Sequence, residues 1–276
     1  MQHQEKIYTC YLCGSTEHQV LDVVNQKPKG ETDYGIAEAD YQRVITQCQH
    51  CQVYTNQHQL LDQRMYEGDY NASISLGSIR DRYDKVMHLP PEKSDNRQRV
   101  DRILEFLKSQ DINPADSDVL DVGSGTCVFL GALKEAGPRC ACIDPDPQAI
   151  AHASQYVGIP LTHGGTLEDF SDDKRFDLIT FNKVLEHVKN PVAMLGKASR
   201  LLKKSGMVYV ELPEGERAVA QHIEMQRQEF FVEHYTIFNE ASYLELAQRA
   251  GYDCLAKQVI TEPSGKLTIC GFLKKQ

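Results

Sequence analysis

The chain has 276 residues, 41% of them apolar, with nine cysteines, no tryptophan, a formal charge of −9 and a pI near 5.6. That length accommodates one large α/β domain plus a small module, and the acidic balance argues against a protein that tracks a nucleic-acid backbone, which concentrates Lys and Arg. No apolar run reaches the ~18 residues of a membrane span, and the polar start Met1-Gln2-His3-Gln4-Glu5-Lys6 has no signal-peptide core. A cytoplasmic location is therefore expected, with cysteines serving as metal ligands or buried thiols rather than disulfides.

In chain order, the first signal is a pair of C-x-x-C turns, Cys10-Tyr11-Leu12-Cys13 and Cys48-Gln49-His50-Cys51. Each turn can place two thiolates on one ion, and two such turns complete a tetrahedral zinc site. Four protein ligands leave no open position, so the ion would be structural. A module over residues 1–58, with strands near 20–24 and 41–46, is small enough to need such a staple. The other readings are thiols packed in a small core and a redox pair. His18 and His50 lie near enough in sequence to substitute as ligands.

Residues 59–94 form a polar connector with Tyr66, Tyr70, Tyr83 and a Pro90-Pro91 pair. It reads either as a linker or as a lid whose tyrosines stack on a ligand. An amphipathic helix is predicted over 95–110, its apolar stripe being Val100, Ile103, Leu104, Phe106 and Leu107.

The next stretch, Val119-Leu120-Asp121-Val122-Gly123-Ser124-Gly125-Thr126-Cys127, is an apolar strand ending in an acid, then two glycines, then an apolar helical pattern from Phe129. Glycines at such a turn let a ligand approach the main chain, and the helix start offers unpaired N–H groups. Alone the motif is weak. A second strand ends in Asp144-Pro145, 19 residues after Gly125, where an acid can accept ribose hydroxyls. A third precedes His163-Gly164-Gly165-Thr166-Leu167-Glu168. The fourth, Phe176-Asp177-Leu178-Ile179-Thr180-Phe181, runs into Asn182-Lys183-Val184-Leu185-Glu186-His187-Val188 and Pro191. A dinucleotide-dependent oxidoreductase is the rival reading, but it wants a small residue where Val128 stands.

In order and spacing these motifs resemble the class I S-adenosylmethionine-dependent methyltransferases over residues 95–276. The resemblance implies an α/β, Rossmann-like domain with a seven-stranded, mostly parallel sheet ending in an antiparallel hairpin pair. It implies S-adenosylmethionine as cofactor, with Asp121, Gly123 and Gly125 at its amino-acid and ribose portions. Asp144 and Pro145 would stand at the ribose, Leu167 and Glu168 at the adenine, and Asn182 at the methionyl end. The family often has a third glycine where Cys127 stands, so a bulkier group is expected to face the turn.

Together with the paired-cysteine module, the chain is similar to the zinc-containing sugar methyltransferases, which act on nucleotide-linked sugars and related saccharides at carbon or oxygen. That resemblance implies a small-molecule acceptor. An RNA methyltransferase with a zinc-containing substrate module is the alternative; the acidic balance makes nucleic acid the weaker choice, and no membrane contact is expected. The transfer needs positioning of the acceptor and a base for its proton. His234, in Phe231-Val232-Glu233-His234, is the first candidate, with Glu233 orienting its ring. His187, beside Glu186, is the second, and it also reads as an ordinary helix-start residue. A long helical excursion is expected between a fifth strand at 207–212 and this motif. A helix over 240–250 and two strands near 252–260 and 266–273 should close the domain.

Overall fold

The computed structural model describes residues 8–32, 34–58, 76–171, 173–221 and 227–276. Its larger sheet has seven strands: β4 (Asp118–Val122), β5 (Arg139–Asp144), β6 (Leu161–Gly164), β7 (Phe176–Asn182), β8 (Leu202–Pro213), β10 (Tyr252–Thr261) and β11 (Leu267–Lys275), in the order β10-β11-β8-β7-β4-β5-β6. The strands from β8 to β6 run parallel, and the β10–β11 hairpin joins antiparallel through β11. This is the sheet expected from the sequence. All five residues of β4 are buried, as a parallel strand covered on both faces requires.

Helices α2 (Asp95–Ser109), α3 (Val128–Leu133), α4 (Pro147–His152), α5 (Pro191–Ala198) and α7 (Glu240–Arg249) cover the two faces. The α2 helix starts where the Ser94 hydroxyl accepts from the Arg97 N–H. Of its buried stripe, Val100, Ile103 and Leu107 pack with Val119, Leu178 and Met207, and Asn96 donates to the Val128 carbonyl at 2.9 Å. Each such aliphatic side chain contributes about 1.5–3 kcal/mol when fully buried. After β8 the described residues form the short helix α6 (Glu216–Ala220). A tight turn at Gln228–Phe230 follows, so no long helix is seen there among the described residues.

A second sheet holds β1 (His18–Val24), β2 (Arg43–Cys48) and β3 (Tyr54–Gln57), and its fourth strand is β9 (Thr236–Ile237). Here Tyr54 pairs with Ile237 and Thr55 with Thr236. Cys10, Leu12, Cys48, Cys51 and Val53 share one apolar cluster with Leu195, Ala198, Tyr243 and Ala247. The amino-terminal module and the large domain thus have a common core.

Helix α1 (Leu76–Met87) occupies the second half of the connector. Tyr83 turns toward Gly131, where an added Cβ would lie 2.3 Å from the phenol oxygen, and packs edge-on against His152 and Tyr156. Its role here is packing on α3 and α4; Tyr66 and Tyr70 lie outside the described residues. No helix among the described residues is long and apolar enough to cross a membrane.

Candidate active site

The register sets Asp121 beside Cys142 and Thr180, so β4, β5 and β7 end at one level. At β4 the sheet order reverses, with β5 on one side and β7 on the other; ligands of such sheets bind outside the carboxyl ends at that point. A cleft of about 450 Å³ opens there. Its lining includes Asp121, Gly123, Gly125 and Asn182, and across from them Glu186, His187, Glu233 and His234.

The floor is built from the motif residues. Gly123 has φ +73°, and an added Cβ would sit 2.7 Å from a Val184 methyl, so only glycine fits. Gly125 has φ +48°, and nothing stands within 4 Å of where its Cβ would be, which leaves space beside its main chain. Asp121 accepts from the Thr180 hydroxyl at 2.6 Å and from the Asn182 amide at 2.8 Å. Burial pushes its carboxyl up to about 7. The other Asn182 atom, Oδ1, is buried with no partner among the described residues. Asp144 accepts from the Gly125 N–H at 2.7 Å through one oxygen and from the Asp146 N–H at 2.9 Å through the other. Burial raises its pKa.

Some expected residues sit elsewhere. Leu167 is 1% exposed inside the main core, and Glu168 pairs with Lys197 at the surface; neither lines the cleft, and Asp144 does not line it directly but borders it through the Gly125 N–H. Pro145 is exposed beside Asp144. Cys127 does hold a left-handed conformation, φ +60°, which favours glycine and costs a side chain about 1–2 kcal/mol. Its side chain does not face the turn as expected; it is wholly buried with Cys140 and Cys142.

Arg99 is a cleft residue that the sequence reading passed over. Glu211 grips it in a two-pronged ion pair, Nε to Oε2 at 2.9 Å and Nη2 to Oε1. The pair holds Glu211 ionised, well below the usual carboxylate range, with burial opposing it. A signal was present: Arg99 lies three residues after Asn96 and four before Ile103, on the buried stripe of α2.

The opposite wall carries the two histidines, their ring centroids 4.9 Å apart. His234 Nδ1 lies 2.9 Å from the Glu229 main-chain oxygen, and His187 Nδ1 lies 3.0 Å from that of Glu233. A carbonyl only accepts, so each Nδ1 carries its proton and each Nε2 is the basic nitrogen. This corrects the expected role of Glu233. Its carboxylate does not orient His234; the main chain of Glu229 does, while Glu233 steadies His187 through its own carbonyl. Burial drives His187 down to about 4 and, with the neighbouring His187, drives His234 well below the usual imidazole range. Burial also pushes Glu186 up to about 8 and Glu233 up to about 7. At neutral pH the wall presents two neutral imidazoles and a largely protonated Glu186.

Two groups of donors have metal-compatible spacing among the described residues. Cys10 and Cys51 sulfurs are 3.6 Å apart, and Cys13 and Cys48 sulfurs 3.5 Å. A tetrahedral zinc with ~2.3 Å bonds sets sulfur pairs about 3.8 Å apart, so the cysteines fit the ion. Glu186, His187 and His234 also come within 4.8 Å of one another. The positive charge of Lys183, which bears on both Glu186 and His234, disfavours a cation there.

Residues 92–257 match the family described as "Methyltransferase domain". The chain belongs to that family. The methyltransferase domain is similar to the ubiquinone biosynthesis O-methyltransferase of Pseudomonas paraeruginosa, 30% identical over 128 residues, which cover 40% of this chain and 55% of that protein. The corresponding enzyme of Xanthomonas axonopodis pv. citri is 28% identical over 113 residues, 39% of this chain and 47% of that one. The chain thus spans about half the length of the curated relatives it matches.

Among solved structures, the fold resembles magnesium protoporphyrin IX methyltransferase from Synechocystis PCC 6803 with bound SAH. The TM-score is 0.59 and the identity 16%, over 78% of this chain and 100% of the other. It also resembles the 1,6-didemethyltoxoflavin-N1-methyltransferase of Burkholderia thailandensis, with TM-score 0.52 and 19% identity over 90% and 100%. At these identities the likeness concerns the fold of the domain.

Proposed function

We propose that the chain transfers a methyl group from S-adenosylmethionine to oxygen or carbon of a small-molecule acceptor, a saccharide of the nucleotide-linked sugar class. The observation that carries the cofactor is the orphaned, buried Asn182 Oδ1 on the cleft floor beside Asp121. A buried acceptor without a donor costs about 1–3 kcal/mol, and a ligand ammonium would satisfy it. Arg99, whose second terminal nitrogen is not used by Glu211, fits the carboxylate of the same amino-acid head. Asp144, with one lone pair of each oxygen still unused, fits a pair of ribose hydroxyls. When bound, the cofactor supplies a sulfonium-activated methyl.

The chain's own residues then hold the acceptor and take its proton. His234 is proposed as the base, since its Nδ1–H is fixed on Glu229 and its Nε2 is left to accept from an acceptor group in the cleft. Its low basicity keeps it unprotonated at neutral pH. His187, packed against it, is the second proton acceptor in reach. Cys10, Cys13, Cys48 and Cys51 hold a structural zinc ion that ties the amino-terminal turns together.

The saccharide reading is supported by the pairing of this cysteine module with the Phe231-Val232-Glu233-His234 loop at the cleft, and by Gly30 and Thr32 of the module lining the same cleft. Incubation with methyl-labelled S-adenosylmethionine and a panel of nucleotide sugars, free saccharides and RNA tests it. Label in a nucleotide sugar supports the reading; label only in RNA overturns the acceptor class, and binding of no S-adenosyl compound overturns the whole.

A further inference from the structure

The cleft wall that bears the histidines is made of a loop, residues 229–235, with little regular structure of its own. Its main chain is held from the amino-terminal module. Arg43, wholly buried on β2, donates from Nη1 to the Phe230 carbonyl at 2.5 Å. Asn56, on β3, donates from its amide to the Phe230 and Phe231 carbonyls at 3.3 and 3.1 Å. Glu31 accepts from the Val232 N–H at 2.7 Å, and His58 donates to the Val232 carbonyl at 2.7 Å. The Asn56 N–H then donates to the Tyr235 carbonyl, where β9 begins to pair with β3.

These anchors are themselves one network. Tyr41 donates its hydroxyl proton to Glu31 at 2.6 Å and accepts from Arg43 Nε at 2.9 Å, and Arg43 Nη2 stands 3.8 Å from Glu31. The carbonyls of Glu229 and Glu233, which fix the tautomers of His234 and His187, lie on the stretch that this network clamps.

We infer that Arg43, with Asn56 and Glu31, is a positioning residue for the proposed base: the module holds the loop main chain, and through it the Nδ1–H tautomer of His234 and His187. The module is thereby a working part of the active site. Neither Arg43 nor Asn56 lines the cleft, so both act only through the loop. A ring released from its carbonyl presents either nitrogen to the acceptor, and a displacement of about 1 Å at a reacting group costs about 10²-fold in rate.

The inference rests on His234 being the base, but its main readout does not. In protein with ¹⁵N-labelled histidine, the imidazole nitrogens report tautomer and protonation directly. Asn56→Ala removes the amide that donates to two loop carbonyls, and with it the Oδ1 that accepts from Arg43 Nη1 at 3.3 Å, while Arg43 keeps Glu31, Tyr41 and the Phe230 carbonyl as partners. The double variant E31Q/R43M removes the ion pair from both sides, because deleting Arg43 alone would leave Glu31 buried and uncompensated. Folding and affinity for S-adenosylhomocysteine, expected within about twofold of wild type, are checked in parallel. The expected result is that His234 and His187, Nδ1-protonated in wild type, populate both tautomers in Asn56→Ala and more so in E31Q/R43M. With an acceptor in hand, kcat falls while KM for the cofactor holds. If Asn56→Ala, or E31Q/R43M where it folds, keeps both rings Nδ1-protonated, Arg43 and Asn56 only stabilise the fold and the inference is wrong. Altered tautomers with unchanged turnover would leave the positioning intact and refute His234 as the base.

Discussion

Asp144 offers the sharpest test of the cofactor site. Its carboxylate spends one lone pair of Oδ2 on the Gly125 N–H and one of Oδ1 on the Asp146 N–H, leaving one on each oxygen for two ligand hydroxyls. Hydrogen bonds to a charged acceptor contribute roughly 1.5–3 kcal/mol each. Taking the low end for both, Asp144→Ala loses about 3 kcal/mol of binding, or about 150-fold in affinity. The substitution also strands the N–H of Gly125, so the turn loosens and the loss grows. Asp144→Asn is no milder: whichever way the amide turns, its NH₂ faces either the Gly125 or the Asp146 N–H. Titration calorimetry with S-adenosylhomocysteine reads both variants. Affinities within about threefold of wild type, in protein that melts normally, would remove Asp144 from the site and with it the hydroxyl-binding argument.

Other expectations follow from the same geometry. His234→Ala should cut turnover by about 10²–10⁴ while S-adenosylhomocysteine affinity stays nearly unchanged; a normal rate in His234→Ala beside a lost one in His187→Ala transfers the role to His187. Metal analysis of protein purified without a metal-affinity tag should give one zinc per chain, lost in Cys48→Ser; a second equivalent that survives this change would place an ion on Glu186, His187 and His234 instead. Glu186 is protonated in the fold and ionised when unfolded, so its contribution to stability is fully present below the ordinary carboxylate value of 4.5 and lost as pH rises through about 8. At 1.36 kcal/mol per pH unit that amounts to at most about 5 kcal/mol. Glu186→Gln should therefore match wild type in urea unfolding near pH 5 and exceed it near pH 8. An equal difference at both values would show that Glu186 is not held protonated.

The centre of the large sheet was legible because β4, β5 and β7 are short apolar runs, almost wholly buried, that run into Gly123, Asp144 and Asn182. The carboxyl ends bring such residues together, and it was the family resemblance carried by the order of these motifs that implied a common site for Asp121, Gly123, Gly125 and Asn182, which the cleft lining now shares. What spacing could not carry was direction. Glu233 precedes His234, and adjacency suggested a carboxylate–imidazole pair, but neighbouring side chains on an irregular loop need not meet. The ring found a carbonyl five residues back instead. Leu167 sits in the core although its motif neighbours reach the surface, because one residue's turn decides which way a side chain points after β6. Cys127 could be flagged as unusual but not aimed, since a positive φ swings Cβ away from the turn. Arg43 gave no sign of its reach to the histidine loop: the Phe230 carbonyl that it holds lies 187 residues away.

The β3–β9 pairing also bears on how the chain is made. Tyr54 and Ile237 are about 180 residues apart, so the small sheet has only three strands until nearly the whole methyltransferase domain has left the ribosome. Contacts of such long sequence separation slow folding, because loop closure is paid before the contact rewards it. During that interval β3 is an open edge, with backbone groups available to any other strand. The strap that finally covers it is two residues long and comes attached to the histidine loop. Completion of the small sheet and placement of the histidine loop are therefore coupled, and a chain released before Thr236 would carry a bare β3 edge and a loop with no strand to hold its far end.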